Sequence, residues 1–261
     1  MLLSRMDIFF GIDSASILLF AFVISTFAGV VKGVVGFALP MLLISGLGSV
    51  TTAEVALAGV ILPTLVTNLW QALRQGIGPA WGSIKKFRIF LLAGLIVLLA
   101  SAQLVRVVPG AYLLLFIGVL VTLYVTLQLF GVHLRLPPNP SRKTEAGIGI
   151  IAGFMGGMSG IWGPPTVAML TALDTGKKEH IRVQGVIYGL GSVALVVAHI
   201  GSGVLRAETL PLSLALVPPT LLGMGLGLYI QDRIDHKTFK IAAMTVLLFA
   251  GLNLIRRGMF G

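Results

Sequence analysis

Phe27-Ala-Gly-Val-Val-Lys-Gly-Val-Val-Gly-Phe-Ala-Leu-Pro40 decides the reading of this chain, because it is written twice. Its echo is Ile151-Ala-Gly-Phe-Met-Gly-Gly-Met-Ser-Gly-Ile-Trp-Gly-Pro-Pro165. Ala28 and Gly29 recur as Ala152 and Gly153, Gly33 as Gly157, Gly36 as Gly160, and Pro40 as Pro164, each 124 residues on. Farther along, Arg106 recurs as Arg233, and Val119 and Leu120 as Val246 and Leu247, now 127 residues on, the small change that a loop insertion produces. A fixed period of this kind marks duplicated architecture. The chain therefore divides into a first half, 1–131, a linker, 132–145, and a second half, 146–261. The linker holds Arg135-Leu-Pro-Pro-Asn-Pro, whose prolines oppose helix.

Both copies lie in an environment set by composition. Of 261 residues, 56% are hydrophobic and 11% charged, where a soluble domain carries about 25% charged residues. Mean hydropathy is +1.00. Such a chain cannot cover a water-facing surface, so it reads as an all-α integral membrane protein. Its long uncharged stretches suit helices of roughly 20 residues, and none alternates as an outer-membrane barrel strand does. Ordinary crossings are expected at about 54–73, 88–107, 111–132, 181–203, 209–231 and 238–256. With no cysteine, disulfide scaffolds and thiolate metal or redox sites are excluded, and neither cofactor nor metal is expected. The first apolar run reads as retained rather than as a cleaved signal. The net charge of +10 reflects basic loops facing anionic lipid. Nucleic-acid binding would need a further soluble module.

Glycine weakens a helix by about 1 kcal/mol and proline by about 3. The repeated element thus predicts a helix break near Gly33–Gly36 and another near Gly157–Gly163, with the prolines opening the helix that follows. Interrupted helices at corresponding places in two halves point to the substrate site of a secondary transporter. A helix that begins inside the membrane turns unpaired N–H groups and a positive dipole end toward a cavity, where an anion fits. The plainer reading is that Gly29, Gly33, Gly153 and Gly157 only let helices approach closely.

Each element either crosses once, giving parallel halves, or turns back as a hairpin, giving inverted halves. Setting Lys32 aside, the first arrangement divides the basic residues eleven to seven between the faces. The second divides them thirteen to five, leaving only Arg5, Arg106, Arg206, Arg256 and Arg257 on the poor side. The sharper asymmetry favours inverted repeats under the positive-inside rule. Both termini are then outside and the linker is cytoplasmic.

The paired motifs, Ala28-Gly-x-x-x-Gly-x-x-Gly-Phe-x-x-Pro and Ala152-Gly-x-x-x-Gly-x-x-Gly-x-x-Gly-Pro-Pro, resemble those of the sulfite exporter TauE/SafE family, also called the toluene sulfonate uptake permease family. The resemblance covers nearly the whole chain. It implies a multi-pass transporter of small sulfur-containing anions (sulfite, sulfonates, sulfoacetate) in the bacterial inner membrane. One departure stands out: Lys32 occupies a place where that family more often has an uncharged residue.

The expected binding residues follow from the breaks and the polar positions in the spans. Lys32 is the only charged residue between Asp13 and Glu54, and a cation at that depth marks a function unless its head snorkels to the interface. Gly33, Gly36, Phe37 and Pro40 form the first break. Gly156, Gly157, Ser159, Gly160, Trp162, Gly163 and Pro164 form the second. Asn68, Gln71, Gln184 and Ser192 offer donors to sulfonate oxygens, or hydrogen bonds between helices. His199 is a candidate proton relay or gate, and Arg182 a candidate entrance residue. All nine acids fall in loops or at segment ends, which leaves an anion-friendly interior. The expected partners are a small anion, membrane lipid and a second copy of the chain in a homodimer. Gly157-Met-Ser-Gly160 with His199 also superficially resembles the Ser–His dyad of rhomboid intramembrane proteases. The duplicated element argues against this, since its first copy has Val35 where the serine stands. A passive anion channel or noncatalytic membrane subunit is the remaining alternative.

Overall fold

The computed structural model describes residues 14–132, 140–173, 177–231, 233 and 235–260. Most of the linker, with Arg135, and Arg5 lie outside them. The described residues form helices and connecting turns, without strands. The first half contains α1 (Ala15–Val35), α2 (Leu39–Gly48), α3 (Ala53–Leu73), α4 (Ile77–Lys86), α5 (Arg88–Ala102), a 3₁₀ turn (Gln103–Arg106) and α6 (Gly110–Leu129). The second contains α7 (Arg142–Ser159), α8 (Gly163–Ala172), α9 (Lys177–Gly201), α10 (Leu210–Ala215), α11 (Val217–Ile230) and α12 (His236–Phe260). Seven helical stretches among the described residues are long and apolar enough to cross a membrane. Six correspond to the crossings expected from sequence, within about three residues at most ends. The seventh is α1. The protein is a multi-span helical membrane protein.

Local chemistry sets the boundaries. Ser14, Thr52 and Ser141 cap α1, α3 and α7, each side chain accepting from a first-turn N–H. Pro218 and Pro219 open α11 and divide it from α10. The short α4, with exposed Ile77 and Trp81 and with Lys85 and Lys86 in its last turn, has the amphipathic character of a helix lying at a membrane interface.

The outer surface is apolar: Leu19, Leu92, Ile96, Leu222 and Phe249 are all more than 60% exposed. The interior holds Lys32, Asn68, Gln71, Ser159, Gln184, Ser192 and His199, all buried. That arrangement suits a lipid solvent, in which polar groups must find partners inside the protein.

Glycine makes the main helix contacts. Gly29 and Gly33 of α1 face the backbone of Thr220, Met224 and Gly227 on α11. Gly153 and Gly157 of α7 face the backbone of Gly94 and Leu98 on α5. Gly118 and Gly251 bring α6 against α12. Gly185 fits against Gln71 and Ala72, bringing α9 against α3. Each long helix of one half therefore packs on a helix of the other.

The helix after the first glycine element turns back, because Gly46 of α2 lies against Ile24 of α1. Arg257, at the end of α12, donates to the carbonyls of Gly48 and Thr51, and Glu54 meets Arg206. One face of the bundle thus gathers 48–54, 103–110, 201–209 and the end of α12. On the opposite face Lys86 meets Glu179 at 2.8 Å, Arg182 donates to Ser83 at 3.1 Å, and Gln231 donates to the Val34 carbonyl at 3.2 Å.

Candidate functional site

Both glycine elements end their helix by the same device, within the ranges expected from sequence. α1 runs through Gly33 to Val35 and stops at Gly36, whose φ of 84° is left-handed and whose N–H returns to the Lys32 carbonyl. α7 runs through Gly157 to Ser159 and stops at Gly160, φ 68°, whose N–H returns to Gly156. Glycine tolerates this conformation without a side-chain penalty. In the first copy Ala38 is left-handed as well, φ 75°, a strained state for a residue with a Cβ. Gly33 and Gly157 therefore lie within helices and serve the contacts with α11 and α5.

The residues after the two caps converge. Phe37, Ala38, Pro40 and Met41 from one break, Ile161, Trp162 and Gly163 from the other, and Lys32, Asn68 and Tyr188 line one small cavity. Only about 20 Å³ of it is open to water, room for roughly one molecule.

Lys32 is 2% exposed and donates to Oδ1 of Asn68. The Asn68 amide in turn donates to Ser192 Oγ at 2.7 Å and to the Tyr188 carbonyl at 3.2 Å, and Ser192 donates to that same carbonyl. Asn68 is thereby held with its oxygen toward the ammonium. Gln71 donates to the Ile181 carbonyl at 3.1 Å, while its Oε1 has no partner among the described residues. The Gln71 and Gln184 side chains both reach the Gly36 cap. Trp162 covers Gly156, and its ring stands 6.3 Å from that of Tyr188. The Tyr188 hydroxyl donates to the Gly163 carbonyl at 3.5 Å.

The backbone at the first break keeps open valences. The N–H groups of Phe37, Ala38 and Leu39 have no acceptor among the described hydrogen bonds. The second break is poorer than the sequence suggested, because Pro164 and Pro165 remove two donors from the first turn of α8 and Ser159 Oγ satisfies the Ile161 N–H at 3.2 Å. Trp162 and Gly163 supply what remains. Pro164 opens α8 without lining the cavity.

Ser159 also donates to the Met155 carbonyl at 2.6 Å, and His199 pairs through Nδ1 with Ser202 at 2.9 Å. Neither bonds the other, so no protease dyad is formed. Arg182 lies on the face with α4, bonded to Ser83 and, at 3.4 Å, to Gln75, apart from the cavity. Sequence reasoning missed Tyr188, Met41, Ala38 and Ile161. Tyr188 carried a signal, standing one helical turn after Gln184.

A multi-span helical bundle with two interrupted helices meeting at a buried lysine defines the class: a polytopic membrane protein with an internal pocket. The family model for the sulfite exporter TauE/SafE proteins matches residues 21–254, and the chain belongs to that family of membrane transporters. Neither a curated protein nor a solved structure matches the chain.

Proposed function

We propose that the protein is a secondary transporter of a small sulfur oxyanion of the sulfite, sulfonate or sulfoacetate type. The anion binds where the two breaks meet, between Lys32, Asn68 and the free N–H groups of Phe37, Ala38 and Leu39. The observation that carries this reading is Lys32: a buried lysine with no carboxylate bonded to it among the described residues, lining a cavity built from both glycine elements. Among the described residues no Asp or Glu is buried, so an anion supplies the missing charge partner.

The two halves act as inverted repeats. Supporting this, Gly36 lies beside Gln71 and Gln184, while Gly160 lies beside Leu195 and Val60, positions shifted by 124 in register. Asn68 and Ser192, also 124 apart, bond each other, as residues on a pseudo-two-fold axis do. An axis in the membrane plane puts them, and the cavity beside them, at mid-depth. The basic residues then divide thirteen to five, which supports a cytoplasmic linker by the positive-inside rule, and the proposed location is the inner membrane. Access alternates as the breaks open in turn toward each face.

The test is counterflow in liposomes containing the purified protein. Vesicles preloaded with sulfite, sulfoacetate, taurine or thiosulfate should transiently accumulate the labelled form of at least one. Conductance without counterflow identifies a passive channel and refutes the carrier.

A further inference from the structure

We propose that Tyr124 is a further binding residue of this carrier: its hydroxyl donates to the anion once the ring of Phe37 turns aside. The proposal rests on the transport reading and adds to it a neutral donor from α6.

Tyr124 is 7% exposed, and its hydroxyl has no hydrogen-bond partner among the described residues. A buried tyrosine hydroxyl usually finds one. The hydroxyls of Ser45, Thr64 and Thr122 share the condition. Those side chains are short, and a turn of χ1 brings such a hydroxyl to a carbonyl of its own helix. The phenol of Tyr124 cannot reach back in that way, because the ring holds its oxygen away from the backbone. Its partner has to come from elsewhere.

The surroundings point to the cavity. The Tyr124 ring meets the Phe37 ring edge to face, with centroids 6.4 Å apart and planes at 80°, and Phe37 lines the cavity. Tyr188, which lines it too, lies within electrostatic range of the Tyr124 hydroxyl. Tyr124 thus stands just behind the cavity wall. On one side is a residue of the first break, and on the other the tyrosine that bonds Gly163 of the second. Helix geometry agrees. Thr122 of α6 faces Gly251 on α12, and two residues turn a helix by about 200°, so Tyr124 points the other way, into the bundle.

Phe37 is the part that gives way. It sits between the left-handed Gly36 and the start of α2, and its N–H has no acceptor among the described hydrogen bonds. Tyr124 touches Phe37, and Phe37 rather than Tyr124 lines the cavity, so a turn of the Phe37 side chain brings the hydroxyl to the anion. A phenol hydroxyl donates to a sulfur oxyanion without adding charge. Lys32 remains the one charged residue of the lining.

Tyr124→Phe, which deletes the oxygen alone, is the test, with Thr122→Val on the same helix as its control. The purified proteins are melted with and without whichever of sulfite, sulfoacetate, taurine and thiosulfate shows counterflow in the wild type. Without anion, Tyr124→Phe should melt no lower than the wild type, since no bond inside the protein is lost. With anion, it should need at least about tenfold more for the same shift, and the concentration for half-maximal counterflow should rise as well. Thr122→Val should keep the wild-type affinity. Wild-type affinity in Tyr124→Phe overturns the assignment and leaves the carrier standing. An unliganded Tyr124→Phe that melts well below the wild type, or fails to fold, overturns it too, because the hydroxyl then has a partner within the protein. Equal loss of affinity in Thr122→Val does the same, as an effect of α6 packing. Counterflow with none of the four anions in the wild type overturns the carrier, and this residue with it.

Discussion

Replacing Lys32 by Met removes the charge and keeps most of the volume, and two energies of different kind change. The first is affinity. A charge-assisted hydrogen bond to a buried anion contributes about 1.5–3 kcal/mol net, so the dissociation constant should rise roughly 10- to 150-fold. The second is stability. Taking a cation out of the interior relieves desolvation, and such replacements are often neutral or stabilising. Against that, Asn68 Oδ1 loses its donor, at a cost of about 1–3 kcal/mol. The two stability effects oppose, so the unliganded variant should melt close to the wild type.

Thermal melting with and without the anion separates the two. A ligand at 100 times its dissociation constant stabilises by about 2.7 kcal/mol. If affinity falls about 100-fold, the same concentration yields only about 0.4 kcal/mol by the same relation. The expected result is a Lys32→Met protein that folds normally and has lost most of its ligand-induced shift. An undiminished shift would refute the assignment of Lys32 to the anion.

Four further outcomes follow from the geometry. Gly153→Ala and Gly29→Ala push a Cβ into the carbonyls of Gly94 and Thr220 and should each destabilise by about 1–3 kcal/mol, while Gly225→Ala, which meets nothing, should not; equal melting of all three would discount the glycine contacts. Gly160→Val forces a branched residue into a left-handed φ of 68°, costing at least ~1–2 kcal/mol, and should abolish counterflow; normal flux would place the working break elsewhere. Ala38→Gly should relieve about 1 kcal/mol of strain and raise the melting temperature, and a lower one would deny the strain. Because the chain has no cysteine, Ser49→Cys and Gly203→Cys can be labelled singly with a membrane-impermeant thiol reagent. Both should react from one side and Gly78→Cys from the other; Ser49→Cys and Gly203→Cys reacting from opposite sides would rule out the hairpin.

The helical membrane class was legible because burial in lipid demands a bulk composition, and composition is visible without coordinates. The crossings were legible for the same reason. The helix ends at Gly36 and Gly160 fall inside the two ranges read from sequence, 33–36 and 157–163. Glycine density marks where a helix is weak, yet Gly33 and Gly157 remain helical because each fits against a neighbouring backbone. Within the two elements the glycines with left-handed φ are Gly36 and Gly160. Spacing cannot distinguish a glycine that permits a contact from one that permits a turn. Lys32 and Asn68 stood out as polar residues in apolar surroundings, and both line the cavity. Tyr188 did not, since an aromatic in a span is ordinary until its neighbours are known. The contribution of amides at the second break was overestimated, because Pro164 and Pro165 were read as helix openers without subtracting the donors they lack.

That subtraction bears on how the two breaks share the work. The main chain is alike at both, apart from the left-handed Ala38 of the first: a helix of at least five turns, a left-handed glycine, a two-residue link, a proline in the next first turn. The side chains around the caps are not. Gly36 sits by Gln71 and Gln184, with Lys32 one turn before it. Gly160 sits by Leu195, Val60 and Leu57, with Met155 and Gly156 in the place of the lysine and prolines in the place of amide donors. A symmetric backbone explains why the cavity is shared. It does not explain an anion held equally by both edges, since the second edge has little fixed polarity to offer. Under the proposed function the first break is therefore the anion's anchor, and the second contributes a largely apolar edge.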